Sequence, residues 1–234
     1  TSGGPPAALA AKRATGTIPI VFASGGDPTQ LGLVSKFNQP DKNLTGMYFL
    51  LAELVGKRLA LLHELLPRAK RVAVLINPTN IAEAEPTVQN VQIAGRALGL
   101  EIEVFRASAI SEINLAFEAL VRWRAEAFFV GPDPLFSSRA EQIVSLEARY
   151  KVPGSYFIRD FVQAGGTMSY GPNIAQNQRQ LGIYAGRILK GEKVSNLPVV
   201  QPTNYDLAVN LRTAKAFGLE VPPMLLARID EVIE

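Results

Sequence analysis

The chain has 234 residues, of which 47% are hydrophobic and 19% charged, and it contains no Cys and a single His. The lack of Cys excludes disulfides, Cys-ligated metals and a Cys nucleophile, and one His excludes a His-rich metal site. Lys and Arg number 24 against 21 Asp and Glu, and they are scattered, so the charge does not indicate a nucleic-acid partner.

Short apolar runs alternate with longer helical stretches along the chain, which is typical of an α/β fold with a parallel sheet. The predicted strands cover residues 18–22, 44–49, 71–76, 102–105, 127–130, 154–157, 167–170 and 205–210. Three predicted helices carry apolar residues at spacings of three and four, so each has one buried stripe. The stripes are Val55, Leu59, Leu62 and Leu66; Ile113, Phe117, Leu120 and Val121; and Leu181, Tyr184, Ala185 and Ile188.

The two ends of the chain differ in pattern from its middle. Residues 52–157 alternate helix and strand throughout, which predicts a complete doubly wound unit. The chain begins with a loop at residues 1–5 and a predicted helix at 7–14, and the strand that normally precedes such a loop is missing from the sequence. We therefore expect an N-terminal truncation. Asp230, Glu231 and Glu234 are predicted to lie in an exposed tail.

Ligands of open α/β sheets bind beyond the carboxyl ends of the strands. Four predicted strands are followed by small or polar residues and then by a Pro that starts a helix, at residues 23–28, 77–80, 131–134 and 171–173. The candidate ligand groups there are Ser24, Gly25, Asp27, Asn77 and Asp133. Four of them have a structural alternative, because Asp27, Asn77 and Asp133 before Pro can simply cap a helix and Gly25 can simply form a tight turn.

Two tyrosines, Tyr156 and Tyr170, end apolar strands, where a ring either walls a ligand site or packs in the core. Catalysis is not indicated, since His63 lies late in a helix and no Gly-x-Ser-x-Gly motif accompanies it. The sequence also lacks a phosphate-binding loop and the Gly-x-Gly-x-x-Gly fingerprint. We therefore expect a protein that is not an enzyme and that uses neither a cofactor nor a metal.

Several segments together resemble a known family. The run IPIVFASGGDP at 18–28 and NLTG at 43–46 resemble the substrate-binding proteins of ABC transporters, in the family that includes tryptophan- and phenylalanine-binding members. Further matches are KRL at 57–59, LHEL at 62–65, RVAVLINP at 71–78, GGTMSYG at 165–171, ILKGEK at 188–193 and residues 211–223. The resemblance covers essentially the whole chain, and its motifs are specific in combination.

The resemblance implies a type I periplasmic-binding-protein fold, with two doubly wound (Rossmann-like) lobes, three crossovers and a ligand in the cleft. Residues 51–157 would form the intact lobe. Residues 1–50 and 158–234 would form the split lobe, incomplete at its N-terminus because family members carry an export signal and further β/α units there. The implied ligand-binding residues are Ser24, Gly25, Asp27, Thr45, Asn77, Asp133, Tyr156 and Tyr170.

The function implied by the resemblance is that of the solute-binding component of an ABC-type importer. Its ligand would be a small molecule, first of all an apolar or aromatic amino acid, with Asp27 or Asp133 pairing the α-ammonium. Its partner would be the membrane permease, and its location periplasmic or extracellular and membrane-associated. The alternative is the ligand-sensing domain of a regulator or receptor with the same fold. We also expect self-association through the incomplete lobe.

Overall fold

A computed structural model describes residues 3–40 and 43–233 of the chain. The strands are β1 Ile20–Ser24, β2 Leu44–Tyr48, β3 Arg71–Ile76, β4 Glu101–Arg106, β5 Ala127–Val130, β6 Gly154–Tyr156, β7 Met168–Pro172, β8 Tyr205–Asn210 and β9 Glu231–Ile233. The helices are α1 Gly4–Ala14, α2 Val55–Leu65, α3 Ile81–Leu98, α4 Ile110–Arg122, α5 Pro134–Ser137, α6 Ala140–Tyr150, α7 Asp160–Gln163, α8 Ile174–Leu189, α9 Leu211–Ala216 and α10 Pro223–Leu226.

The chain forms two compact units. The first unit contains the residues up to Leu51 together with Pro172–Asn204, and the second contains Ala52–Gly171 and the residues from Tyr205 onward. The chain therefore passes from one unit to the other three times.

This division differs from the one predicted, in which the intact lobe ended at residue 157. The structure groups residues 158–171 and those from 205 onward with the second unit. The reason is strand pairing: β7 pairs in parallel with β6, and β8 and β9 extend the same sheet beyond β7.

The second unit is built on a seven-stranded sheet with the order β4-β3-β5-β6-β7-β8-β9. The first five strands in this order, β4, β3, β5, β6 and β7, pair in parallel, so their carboxyl ends lie along one edge of the sheet. The backbone N–H of Asn210, which ends β8, donates to the carbonyl of Thr167 just before β7. β8 therefore runs antiparallel to β7, and β9 is parallel to β8.

Helices of the second unit cover this sheet with the stripes that the sequence predicts. Val55, Leu59, Leu62 and Leu66 are all buried, and so are Ile113, Phe117 and Leu120. The predicted burial of these side chains is confirmed. Val121 is different, because its side chain is 36% exposed near the end of α4.

The first unit contains the parallel pair β1 and β2, with Ile20 opposite Leu44 and Ser24 opposite Tyr48. Val200 forms an isolated parallel bridge with Met47 on β2. The core of this unit includes Ala8 from α1, Phe22 from β1, Leu33, Tyr48 and Val199.

Helix positions in the first unit follow the sequence pattern closely. The helix that carries the third predicted stripe is α8, and of its stripe residues Tyr184 is buried whereas Leu181, Ala185 and Ile188 are half-buried. The helix predicted at 7–14 begins earlier, at Gly4, with Pro5 in its first turn. Thr1 and Ser2 of the predicted first loop lie outside the described residues.

Two strand predictions need correction. The strand predicted at 18–22 is β1 at Ile20–Ser24, because Pro19 cannot donate to a ladder and Ile18 is 66% exposed. The acidic tail is partly ordered as a strand, since Glu231–Ile233 forms β9 and the carboxylate of Asp230 accepts from the Leu207 N–H at 2.8 Å. Glu234 lies outside the described residues. Within the described part of the chain, no helix is long and apolar enough to cross a membrane.

Candidate functional site

Two predicted residues of the second unit are brought together at the carboxyl edge of its sheet. Asn77 directly follows β3 and Asp133 follows the neighbouring strand β5. The Asn77 side-chain amide donates to Asp133 Oδ1 at 3.0 Å. Asn80, which the sequence reasoning did not single out, donates to Asp133 Oδ2 at 2.8 Å. Asp133 is therefore the centre of a polar cluster at this edge.

Asp133 also caps a helix. Its Oδ1 accepts from the N–H of Leu135 at 2.8 Å, at the start of α5. The side chain is only 5% exposed, yet the carboxylate has places for about four donors and three are filled by these contacts. One acceptor place remains, on Oδ2. The capping role is thus present, and by this count Oδ2 can accept one further hydrogen bond.

Asn77 is held in place by the loop that follows it. Its Oδ1 accepts from the backbone N–H of Thr79 at 3.1 Å and from the Thr79 hydroxyl at 2.7 Å. This turn fixes the side-chain oxygen and directs the amide group of Asn77 to Asp133. The Asn-Pro-Thr-Asn segment at 77–80 thus positions both amides of the cluster.

Ser24 and Gly25 lie at the carboxyl end of β1 in the first unit. Both are buried, and the Ser24 hydroxyl donates to the carbonyl of Gly26 at 2.7 Å. This bond closes the loop that follows β1. The hydroxyl hydrogen of Ser24 is therefore already used in a hydrogen bond within the chain.

Asp27 caps the turn that follows this loop. One carboxylate oxygen accepts from the Thr29 N–H at 2.7 Å, the Thr29 hydroxyl at 2.6 Å and the Gln30 N–H at 3.3 Å. The side chain is half-buried. As with Asp133, the capping role is present and the second oxygen is left for another donor.

Thr45 lies within β2, and its side chain is fully buried in the first unit. Its hydroxyl donates to the carbonyl of Leu197 at 2.7 Å, which joins β2 to a segment far along the chain. This contact gives Thr45 a structural role in the first unit.

Tyr156 belongs to the core of the second unit, which corrects its assignment to a ligand-facing wall. Its side chain is fully buried and stacks on Phe161, with ring centroids 4.4 Å apart. Its hydroxyl donates to the carboxylate of Glu147. Because the ring stacks on Phe161, is fully buried and has its hydroxyl engaged with Glu147, it leaves no exposed surface for a ligand.

Tyr170 is placed differently, because its side chain is only half-buried. It lies on β7 beside Tyr205, the first residue of β8, with ring centroids 6.3 Å apart and planes at 30°. Burial raises the pKa of the Tyr170 phenol, and the charge of Asp230 adds to that effect. Tyr205 was predicted only as the start of a strand, and the pairing of β7 with β8 makes it part of an aromatic pair.

A groove of about 300 Å³ in the first unit was also not anticipated. Its lining combines one face of α8 with the segment after Val200, and includes Gln176, Arg179, Gln180 and Gln201. None of the predicted site residues lines it. The described residues contain no group of three or more His, Asp or Glu side chains placed to hold a metal ion.

The sequence of the chain matches the profile of a family described as ABC transporter substrate binding protein, over residues 1–233. The chain belongs to this family. A curated relative, the tyrosine-binding protein of Clostridioides difficile strain R20291, is 26% identical over 215 residues. That match covers 92% of this chain and 61% of the relative, so the chain spans about three fifths of the relative's length.

Solved structures show the same fold. A conserved domain protein of Vibrio cholerae is 27% identical, with a TM-score of 0.86 over 98% of this chain and 76% of that chain. An ABC domain of Streptococcus pneumonia solved with L-Trp is 23% identical, with a TM-score of 0.84 over 98% of this chain and 78% of that one. The α/β fold expected from the sequence, that of the type I periplasmic binding proteins, is confirmed.

Proposed function

We propose that this chain is the solute-binding component of an ABC-type importer, and that its ligand is an amino acid with an apolar or aromatic side chain. The family match over residues 1–233 carries the proposal. The names of two similar proteins support the ligand class, since one is a tyrosine-binding protein and the other was solved with L-Trp. The chain would bind and release the ligand unchanged.

Asp133 is the group that we assign to the ligand's ammonium. Its carboxylate is held by Asn77, Asn80 and the N–H of Leu135, and one acceptor place on Oδ2 remains. A charged donor strengthens such a bond. Asp27 in the first unit offers a similar free oxygen and is the second candidate. Tyr170 and Tyr205 are the aromatic surface that we assign to the ligand's side chain.

The proposal is tested by a thermal-shift scan against the natural amino acids, with small organic acids and sugars as competing classes. A ligand at 100 times its Kd adds about 2.7 kcal/mol, which at this size raises Tm by roughly 5–10 °C. We expect a selective shift with aromatic or large apolar amino acids. A shift with a sugar and with no amino acid would contradict the ligand class.

The ammonium assignment is tested by Asp133→Asn, because Asn keeps the size of the side chain and can still cap α5. We expect binding of the amino acid to weaken by about tenfold or more, since a charge-assisted hydrogen bond becomes a neutral one. Isothermal titration calorimetry measures the change. Asp160→Asn, at an exposed position in α7, is the matched control. Unchanged affinity in both Asp133→Asn and Asp27→Asn would overturn the assignment.

A regulator's sensing domain is the second candidate, because LacI-family regulators share the fold. One from Bifidobacterium animalis is 15% identical, with a TM-score of 0.54 over 70% of this chain and 62% of that chain. This likeness supports the fold alone, whereas the family match supports the binding protein. Binding of the chain to detergent-solubilised ABC permease, with none to DNA, would favour the importer.

Partner and location follow from the same proposal. The partner is the membrane permease of an ABC transporter, and the location is the periplasm or the outer face of the membrane. Self-association stays a prediction, and sedimentation velocity at two concentrations tests it.

A further inference from the structure

Arg58 places a positive charge in the interior of the second unit. It lies on α2, its side chain is 2% exposed, and its Nη2 donates to the carbonyl of Val130 at 2.6 Å. Its guanidinium carbon lies 3.6 Å from the ring centroid of Phe129. Its Nε is buried and has no hydrogen-bond partner.

This charge has no anionic partner among the described residues. The ion pair between Arg71 and Glu126 shows the contrast, because those side chains are 36% and 40% exposed and remain solvated. Burial alone lowers the pKa of Arg58 well below its ordinary value. An arginine remains protonated even so, and a buried charge without a counter-ion is costly. Such a charge is stabilised when an anion comes close.

Arg58 lies directly beneath the candidate ligand edge. Val130, whose carbonyl it holds, is the last residue of β5, and Asp133 follows three residues later. Gly131 lies between them, and a β carbon there would be 3.1 Å from the Leu75 carbonyl, so the loop is packed closely against β3. Because Arg58 is 2% exposed, its charge is screened less by solvent than a surface charge is.

We propose that Arg58 is the positioning residue that makes the carboxyl edge of β3 and β5 favour a ligand bearing a carboxylate. It holds the end of β5, and its charge, which forms no ion pair among the described residues, favours a further negative group at the loop above. Together with the carboxylate of Asp133, it suits this edge to a zwitterion, with the ammonium at Asp133 and the carboxylate in the field of Arg58. This inference rests on the proposed amino-acid ligand.

The test compares each acid with its neutral amide, using L-tryptophan with L-tryptophanamide and L-tyrosine with L-tyrosinamide. The ammonium and the ring are the same in each pair, so the affinity ratio isolates the carboxylate. We expect the native chain to prefer the acid by about tenfold or more, the scale of two unit charges in a partly buried environment. Arg58→Met should reduce that ratio to about threefold or less, by weakening the acid while leaving the amide unchanged.

Controls separate charge from packing. Arg58→Lys keeps the positive charge and should retain the preference, and Arg122→Met removes an exposed arginine and should leave both affinities unchanged. Equal weakening of acid and amide in Arg58→Met would indicate a purely structural role and overturn the inference. Should Arg58→Met fail to fold, an acid-to-amide ratio near one in the native chain overturns it equally. If no apolar or aromatic amino acid binds the native chain, as acid or as amide, the proposed function itself fails.

Discussion

Glu147 joins α6 to two strands through a buried carboxylate. The carboxylate accepts from the N–H of Gly154 at 2.8 Å, from the N–H of Thr167 at 3.1 Å, and from the hydroxyls of Tyr156 and Thr167. Burial raises the pKa of Glu147 to about 7, because the loss of water outweighs the four hydrogen bonds that favour the charged form.

This pKa predicts a specific pH dependence of stability. The folded value lies above the ordinary value of 4.5, so the contribution of Glu147 is full below pH 4.5 and is lost as the pH rises through about 7. The difference amounts to about 3 kcal/mol at most. In Glu147→Gln the amide oxygen can still accept from Gly154 and Thr167, whereas its NH2 group must donate to the Tyr156 oxygen. Because Gln does not titrate, the variant should lack this slope, as measured by urea unfolding at several pH values.

Glu126 is a control of opposite sign. Hydrogen bonds from the backbone of Lys70 and then Arg71 lower the pKa of Glu126, so its contribution is present above the ordinary value and is lost as the pH falls. Glu126→Gln should therefore leave the neutral-pH slope unchanged. An unaltered slope in Glu147→Gln would show that another group causes it.

Local sequence signals place single residues at strand ends, whereas their role in ligand binding stays a prediction. Asn77 and Asp133 were found because each follows an apolar strand and precedes a Pro, and the structure places them in contact. Tyr156 has the same strand-end setting as Tyr170, yet it is buried and Tyr170 is half-buried. That difference depends on Phe161 and Glu147, which reach Tyr156 through tertiary packing.

At the scale of elements, Gly46 is required for the pairing of β1 with β2. A β carbon at Gly46 would lie 2.0 Å from the carbonyl oxygen of Phe22, which is far inside contact distance. We expect Gly46→Ala to destabilise the first unit by about 2 kcal/mol or more, because the strands must separate. Chemical denaturation followed by circular dichroism measures the loss.

Gly182 in α8 is the matched control, since a β carbon there would have nothing within 4 Å. Gly182→Ala should stabilise the chain by about 0.5–1 kcal/mol, because Ala loses less backbone entropy in a helix. Equal effects of the two substitutions would contradict the pairing argument.

Helices and strands were predictable to different degrees. The helix α8 was predictable because its apolar spacing is a local signal. β9 was not, since Glu231–Ile233 has little apolar pattern and becomes a strand through pairing with β8. Short edge strands depend on a partner that the local sequence does not reveal.

At the scale of the whole molecule, each unit has its own hydrophobic core. The first unit buries Leu33 and its neighbours, and the second buries Leu59 and its neighbours, as separate clusters. We expect two overlapping unfolding transitions in calorimetry, because separate cores weaken two-state cooperativity. Leu33→Ala should lower the free energy of unfolding of the first unit, and Leu59→Ala that of the second unit, each by about 2–5 kcal/mol. In each variant the transition of the affected unit should move to a lower temperature.

A single transition that both substitutions shift equally would contradict independent cores.

The division of the chain into two units could be predicted from the sequence only in part. The middle of the chain shows its alternation of helix and strand openly, whereas the return of β8 and β9 to the second unit depends on pairing across long separations.

The contact between Thr45 and Leu197 joins residues that are 152 positions apart. During synthesis at about 5–20 residues per second, roughly 8–30 s separate the emergence of these two residues. During that interval β2 lacks Val200, the residue that forms a bridge with its Met47. The first unit is therefore completed only after residues near 200 have been made, and until then the edge of β2 that Val200 bridges has no partner there.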